Sequence, residues 1–381
     1  MKISRLLAEV PYTVVQGSAD TEVTGVACDT RKISGGEVFV CITGTVSDGH
    51  GFIPQALEAG AAALLVTKDV EVPEGVTVIR VEDDRKALAA ASAAWFEHPS
   101  RSLTIIGITG TKGKTTTAYM IFHMLNGAGI PCGLIGTVEN IIGEKHIPAS
   151  HSTPESIVIQ DYMAQMRDAG CKAVVMEVSS QGLKMDRVYG IDYDYGIFTN
   201  LEPDHIGGNE HPDFEDYKNC KKKLFSMCKK GIFNADDAHA PEMIEGSTCE
   251  VIRFGAGEGC DYRMVDTELV NEPGHKGVLY RVTGKRELTV ETAIPGRFNM
   301  YNSLAATVVG CEMGLPEETM LSVLRSVHVR GRVESVPVSK RFTVLLDYAH
   351  NGMALRSLLS TLREYQPKRL VCMFGCGGNR A

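Results

Sequence analysis

Short apolar runs alternate with stretches of helical spacing along most of the chain. Residues 23–27, 38–42, 61–67 and 76–81 read as strands, and 52–59 and the Ala-rich 84–96 read as helices, the second stopped by Pro99. Strands are next predicted at 103–108, 132–136, 173–178 and 195–200, with helices over 118–128 and 157–169. Residues 232–290 carry short strands and turns, and an Ala- and Leu-rich helix runs from Gly296 to Met313. The last part repeats the pattern once, with a strand at 342–347, a helix at 353–365 and a strand at 369–374. Such alternation predicts an α/β fold with a mostly parallel, doubly wound sheet. We expect three units: a small N-terminal α/β domain over 1–97, a central domain over 98–329 and an incomplete C-terminal, Rossmann-like domain over 330–381. One β-α-β unit cannot bury both faces of a sheet, so the third unit is expected to be truncated or to lean on a neighbour.

The 381 residues include 39 basic and 47 acidic side chains, a net charge of −8, which argues against bulk nucleic-acid binding. No apolar run approaches the roughly 20 residues that span a bilayer. Residues 1–5 lead into polar sequence without a signal-peptide core. The 11 cysteines contain no C-x-x-C pair and read as reduced, mostly buried thiols of a cytoplasmic protein.

The clearest chemistry lies at residues 107–117, where an apolar run enters a glycine turn, Gly113-Lys114-Thr115 follows, and a helix begins. This reads as a phosphate loop whose glycines run from Gly107. Its backbone N–H groups would face phosphate, Lys114 would reach the β/γ-phosphates, and the Thr115 hydroxyl would sit on Mg²⁺. Glu177 ends one predicted strand and His205 follows another, so both are candidate metal ligands at the carboxyl edge of the sheet. His205, Glu210, His211 and Asp213 offer a second, transition-metal reading. Ser152 or Thr153 is expected to cap the helix that follows. The lysines within 215–225 read as a solvated helix face, and the polar loops 29–31 and 45–50 are places for a ligand or ordinary turns.

Taken in order, the motifs Gly110-Thr-Lys-Gly-Lys-Thr-Thr116, Glu177-Val-Ser-Ser-Gln-Gly182, Asn200-Leu-Glu-Pro-Asp-His205, Gly296-Arg-Phe-Asn299, Arg330-Gly-Arg332 and Asp347-Tyr-Ala-His350 resemble the Mur ligases. Asp29-Thr-Arg31, Asp48-Gly-His50 and Phe52-Ile-Pro-Gln-Ala56 make the chain most similar to the members that add the third residue of the peptidoglycan stem peptide. The resemblance implies a cytoplasmic, monomeric, ATP- and Mg²⁺-dependent amide ligase of cell-wall synthesis. It would join an amino acid (lysine, meso-diaminopimelate or similar) to UDP-N-acetylmuramoyl-L-alanyl-D-glutamate through an acyl phosphate. It implies ATP contacts from Gly110, Thr111, Lys112, Gly113, Lys114, Thr115, Thr116, Asn299, Arg332 and Asp347. It implies UDP-sugar contacts from Thr30 in the first domain and from Ser152, Thr153, Ser179 and Arg187. The metal set would be Thr115, Glu177, His205 and Lys221, with Lys221 carbamylated (N6-carboxylysine) and Lys222 the weaker choice. Lys114, Glu177, His205 and Lys221 would carry catalysis. Three departures stand out: Lys112 replaces the family's usual Asn, Met185 takes the place of a polar substrate contact, and the family's motif for choosing the third amino acid lies past Arg380. The alternatives are a non-catalytic homologue that binds nucleotide and UDP-sugar, and a ligase similar to folylpolyglutamate synthase, which normally lacks the N-terminal domain.

Overall fold

The computed structural model describes residues 1–375, apart from 45–46, 209, 273–274, 337, 340 and 350–351. The first unit is a five-stranded sheet ordered Tyr12–Gln16, Thr77–Val81, Ala63–Val66, Val38–Val40 and Val26–Ala27, parallel except for the edge strand Tyr12–Gln16. That edge strand went unread because two of its apolar residues, Val14 and Val15, face solvent. The helix Asp84–Trp95 begins where the Asp83 side chain accepts from the Arg85 and Lys86 N–H groups. Its Ala87, Leu88 and Ala91 pack on Ile79, Val81 and Leu65. Small side chains at those positions let helix and sheet approach closely.

The central sheet has eleven strands. Its heart is Thr104–Thr109, held in parallel between Ala173–Glu177 and Tyr193–Phe198. Cys132–Ile135 continues it on one side, and Cys228–Asn234 and Glu250–Gly255 on the other. These strands are buried on both faces, so successive residues feed different layers. Ile106, Ile108, Val175 and Ile197 meet the helices Lys114–Gly127 and Arg297–Glu312. Ile105, Val174, Met176 and Phe198 meet the helix Ser156–Asp168 and the pair Leu224–Phe225. Gly107 is needed in the middle strand because a Cβ there would lie 2.6 Å from the Tyr193 ring.

Antiparallel additions flank this parallel core. Glu139–Ile142 and Lys145–Pro148 form a hairpin at one edge. At the other, the region expected to hold short strands contains the long hairpin Tyr262–Glu272 and His275–Gly284, extended by Leu288–Thr292. The helix Ser156–Asp168 is preceded by Glu155 with no side-chain cap, so neither Ser152 nor Thr153 caps it. Both are used in the site instead.

The third unit departs from the expected β-α-β. Glu334–Val336 pairs antiparallel with Val344–Leu346, and the helix Gly352–Glu364 follows. Residues 369–374 form no strand, and among the described residues no backbone pairs with them; Val371, Met373 and Phe374 are exposed. The loop residues 45–46, His350 and the glycine-rich 376–380 lie outside the described residues. This unit leans on the central sheet through Tyr365. Its hydroxyl donates to the Gly277 carbonyl at 2.7 Å and accepts from the Gly296 N–H at 2.9 Å, and its own carbonyl accepts from Asn271.

Tyr365→Phe leaves a buried N–H and a buried carbonyl without partners, which costs about 1–3 kcal/mol. We expect a lower midpoint of chemical unfolding; an unchanged midpoint would show that this docking contact contributes nothing.

Candidate active site

The parallel register sets Glu177 beside Ile108 and Phe198 beside Thr109, so three strands end on one line. The segments that leave them are the glycine loop, 178–182 and 199–205, and together they wall a cavity of about 1200 Å³. Parallel sheets place ligands at such a point, where neighbouring connections diverge to opposite sides.

The loop proper runs from Gly110 to Gly113 and enters the helix Lys114–Gly127. Gly107 belongs to the strand, and its distance to Gly113 is one residue longer than the phosphate-loop spacing allows. Gly113 takes φ +88°, and a Cβ there would lie 2.3 Å from Asn302 Oδ1, so the position admits only glycine. Lys114 Nζ folds back to donate to the carbonyls of Gly110 (2.9 Å) and Thr111 (3.0 Å). Burial holds its amine below the usual lysine range, Arg332 adds to that, and Glu177 and Asp204 oppose it.

Glu177 ties the halves of the cavity together. Its carboxylate accepts from the Thr115 hydroxyl (3.0 Å), the Thr137 N–H (2.8 Å) and the Thr137 hydroxyl (2.9 Å). Its carbonyl accepts from the Thr153 hydroxyl at 2.9 Å, and Thr153 Oγ1 in turn accepts from the Ser179 N–H. Ser152 lies 2.8 Å from Thr137 Oγ1, and Arg187 donates to the Thr153 carbonyl at 3.0 Å. Glu155 also pairs with Arg187 at 2.8 Å and with Arg85, from the first domain, at 3.7 Å.

Lys221 is almost fully buried, at 1% exposure. Its Nζ donates to the Gly110 carbonyl at 2.8 Å and sits 4.5 Å from the centre of the Tyr217 ring. No carboxylate among the described residues forms an ion pair with it. Burial, and then the nearby Lys114, hold its amine well below the ordinary lysine value. The reading of a solvated lysine face therefore fails here. Lys218 is also buried, paired with Glu215 and Glu242, while Lys223 is exposed. The helix Phe214–Lys222 turns Lys218 and Lys221 inward, on the side of the core residues Tyr217 and Cys220, and leaves Lys222 half-buried.

His205 stands on the cavity rim at φ +56°, about half exposed, with Nδ1 2.6 Å from Glu210 Oε2. The alternative metal quartet does not assemble. Asp213 caps the helix Phe214–Lys222 by accepting from the Asp216 N–H, and His211 turns away to Asp216 and Ser180. Among the described residues the one cluster with ligand-atom spacing is His211, Asp216 and Cys220. Lys184 Nζ lies 2.8 Å from the Asp216 carboxylate, and a cation already placed there disfavours a second.

The expected site residues from Thr111 to Thr116, together with Ser152, Thr153, Glu177, Ser179, Arg187, His205, Lys221, Asn299, Arg332 and Asp347, all line the cavity. Gly110 sits behind it and presents its carbonyl to Lys114 and Lys221. Thr30 does not line it. That residue opens a short 3-10 turn of the first domain, two positions after Cys28, whose thiol is pushed up to about 11 by burial first and then by the charge of Glu155. Arg332 Nη2 reaches Thr115 Oγ1 at 3.4 Å. Asp347 accepts from the Val333 and Ala349 N–H groups, and so ties the start of the third unit to the segment after its second strand. The unusual Lys112 is paired with Glu202 at 2.5 Å on the surface. Met185 is half-buried.

Three further residues shape the site. Thr137 bridges Glu177 and Ser152, Asn200 brackets the Lys112 backbone, and Asn302 lies under Gly113. Asn302 stands three residues after Asn299 and donates to its side chain at 2.8 Å, so helical spacing could have found it. Nothing in the apolar pattern marks Thr137.

A glycine loop at a helix N-terminus, a buried carboxylate on the Thr115 hydroxyl and a doubly wound sheet define a nucleotide phosphate-handling α/β enzyme. Comparison with known proteins narrows this. The Mur ligase middle domain matches residues 108–310, the Mur ligase family catalytic domain 22–109, and the Mur ligase glutamate ligase domain 331–381. The chain is 38% identical to the UDP-N-acetylmuramoyl-L-alanyl-D-glutamate–2,6-diaminopimelate ligase of Clostridium perfringens, over all of this chain and 79% of that protein. It is also 38% identical to ligase 1 of the same name from Clostridium acetobutylicum, over all of this chain and 78% of that protein. A solved structure of a UDP-N-acetylmuramoyl-L-alanyl-D-glutamate–2,6-diaminopimelate ligase shares the fold with a TM-score of 0.82 at 24% identity, covering all of this chain and 78% of its own. MurF ligase from Thermotoga maritima in complex with ADP gives a TM-score of 0.61 at 19% identity, over 90% of this chain and 74% of its own. The chain belongs to the Mur ligase family.

Gly113→Ala forces a side chain into a left-handed conformation, costing about 1–2 kcal/mol before the clash with Asn302. Calorimetric titration with Mg·ADP should show binding weakened by at least roughly tenfold. Unaltered affinity would remove the loop from the nucleotide site.

Proposed function

We propose that this chain joins the amino group of 2,6-diaminopimelate to UDP-N-acetylmuramoyl-L-alanyl-D-glutamate, with ATP converted to ADP and phosphate. The observation that carries the reading is the single cavity on which the phosphate loop, Glu177, Lys221 and the Ser152–Thr153–Ser179–Arg187 group converge. The choice of amino acid is supported by the names of the relatives at 38% identity. We set the domain boundaries at 97/98 and 329/330.

In this reading the loop N–H groups and Lys114 cradle the ATP phosphates. The substrate carboxylate attacks the γ-phosphorus, ADP leaves, and an acyl phosphate forms. The amine then attacks the acyl carbon and phosphate departs. Positioning and charge neutralisation do most of the catalytic work. Ser152, Thr153, Ser179 and Arg187 hold the sugar-nucleotide side, with Thr30 on the uridine. Asn299 lies toward the base, and Arg332 and Asp347 bring the third domain to the nucleotide.

The donor set suits Mg²⁺. Thr115 Oγ1 and Glu177 Oε1 lie 3.0 Å apart, both oxygens, and His205 on the rim would complete the set after leaving Glu210. Bound there, the ion neutralises charge on the phosphate oxygens. Lys221 suits carbamylation: its amine is buried, burial disfavours the ammonium form, and addition to CO₂ through nitrogen would release a proton. The resulting carbamate would replace a buried cation beside Lys114 with an anion.

Two experiments test this. Phosphate release from Mg·ATP with the UDP-dipeptide should require an added amino acid, 2,6-diaminopimelate giving the fastest rate, with the tripeptide product confirmed by mass. Tight UDP-sugar binding without release under any amino acid would leave only the non-catalytic reading. Native mass spectrometry in bicarbonate should show one added CO₂ that is absent from Lys221→Ala, with turnover of that variant down by at least roughly a hundredfold. Full activity of Lys221→Ala would overturn the carbamate.

A further inference from the structure

Three side chains, two of them lining the cavity, are aligned in a way that binding of nucleotide and sugar does not explain. Asp216 Oδ2 lies 2.7 Å from His211 Nδ1, and His211 Nε2 lies 2.9 Å from Ser180 Oγ. The members come from different segments: Ser180 from the short helix Ser180–Lys184, His211 from the loop after the strand Tyr193–Phe198, and Asp216 from the helix Phe214–Lys222. The His211 side chain is fully buried, and its backbone is bridged to Ile206 and Gly207. The groups facing it are Ser180, Asp216, the edge-on Tyr217 ring at 5.2 Å, Cys220 and, across Asp216, the Lys184 ammonium. Ser180 and His211 both line the cavity.

A carboxylate on Nδ1 fixes the tautomer that carries its proton there, leaving the Nε2 lone pair to accept the serine O–H. The serine oxygen then keeps its own lone pairs for a donor in the cavity. Amide ligation supplies that donor, because the incoming amine arrives as an ammonium ion and must lose a proton before it can attack.

We propose that Ser180, polarised by His211 and Asp216, accepts the first proton of the attacking amine. This rests on the ligase reading given above. The ammonium passes one proton to Ser180 Oγ as the serine proton moves to His211 Nε2, and the imidazolium is stabilised by Asp216. The freed nitrogen lone pair forms the C–N bond, and the C–O bond to phosphate breaks with its electron pair on the phosphate. The departing phosphate takes a second amine proton, the amide keeps the third, and His211 returns its proton to solvent through Ser180. Ser180 is the catalytic member, and His211 and Asp216 are positioning residues.

Ser180→Ala and His211→Gln test the relay with two nucleophiles. Acyl-phosphate formation is read by positional isotope exchange in ATP labelled at the β,γ-bridge oxygen, with the UDP-dipeptide and no amino acid. Transfer is read with 2,6-diaminopimelate and with hydroxylamine, which is largely unprotonated at neutral pH and needs no base. We expect exchange within about threefold of the wild type, ligation of 2,6-diaminopimelate down by about 10²–10³-fold and hydroxamate formation nearly unchanged. Equal loss with both nucleophiles would make Ser180 a support for the acyl donor and overturn the relay, as would undiminished ligation. Loss of exchange in both variants would likewise assign the triad to substrate positioning. Absence of exchange in the wild type would instead remove the ligase reading itself.

Discussion

The site depends on one buried carboxylate. Glu177 ends a central strand at 1% exposure, where an unpaired charge would be costly. The surrounding chain answers it with three donors, from Thr115 on the loop helix and from the N–H and hydroxyl of Thr137. Through its own carbonyl the same residue fixes Thr153, and through Thr153 the Ser179 backbone. The Thr115 side and the Thr153–Ser179 side of the cavity thus share one residue, whose position is set by strand register rather than by a loop.

Charge imbalance is the second constraint. Lys114 is near enough to oppose the cationic form of Lys221, and both donate to the Gly110 carbonyl. Two amines on one carbonyl, with Glu177 committed to hydroxyls and an N–H, make a pocket short of negative charge. In the proposed reading, nucleotide phosphates and a carbamate on Lys221 would answer that shortage. Where a surface cation occurs nearby, as at Lys112, the chain supplies Glu202 directly.

Much of this was legible in the sequence, for physical reasons. Doubly buried parallel strands read as continuous apolar runs, so the central sheet and its order of chemistry-bearing ends could be anticipated. Strands exposed on one face could not: Tyr12–Gln16 and the hairpin Tyr262–Glu272 with His275–Gly284 carry polar residues that blur the signal. Lys218 and Lys221 look like their exposed neighbour Lys223 until the helix is docked, because burial is a tertiary property. Thr137 was invisible, since one hydroxyl after a strand has no pattern. Residues 369–374 have strand composition yet no partner strand among the described residues, which composition alone cannot reveal.

The central claim is that Glu177 couples two ligand sites. Calorimetric titration of Glu177→Gln with Mg·ADP and, separately, with the UDP-dipeptide measures it directly. The account predicts that both affinities fall, although the two ligands occupy different halves of the cavity. Loss of Mg·ADP affinity with UDP-dipeptide binding intact would contradict it, and would reduce Glu177 to a metal ligand alone.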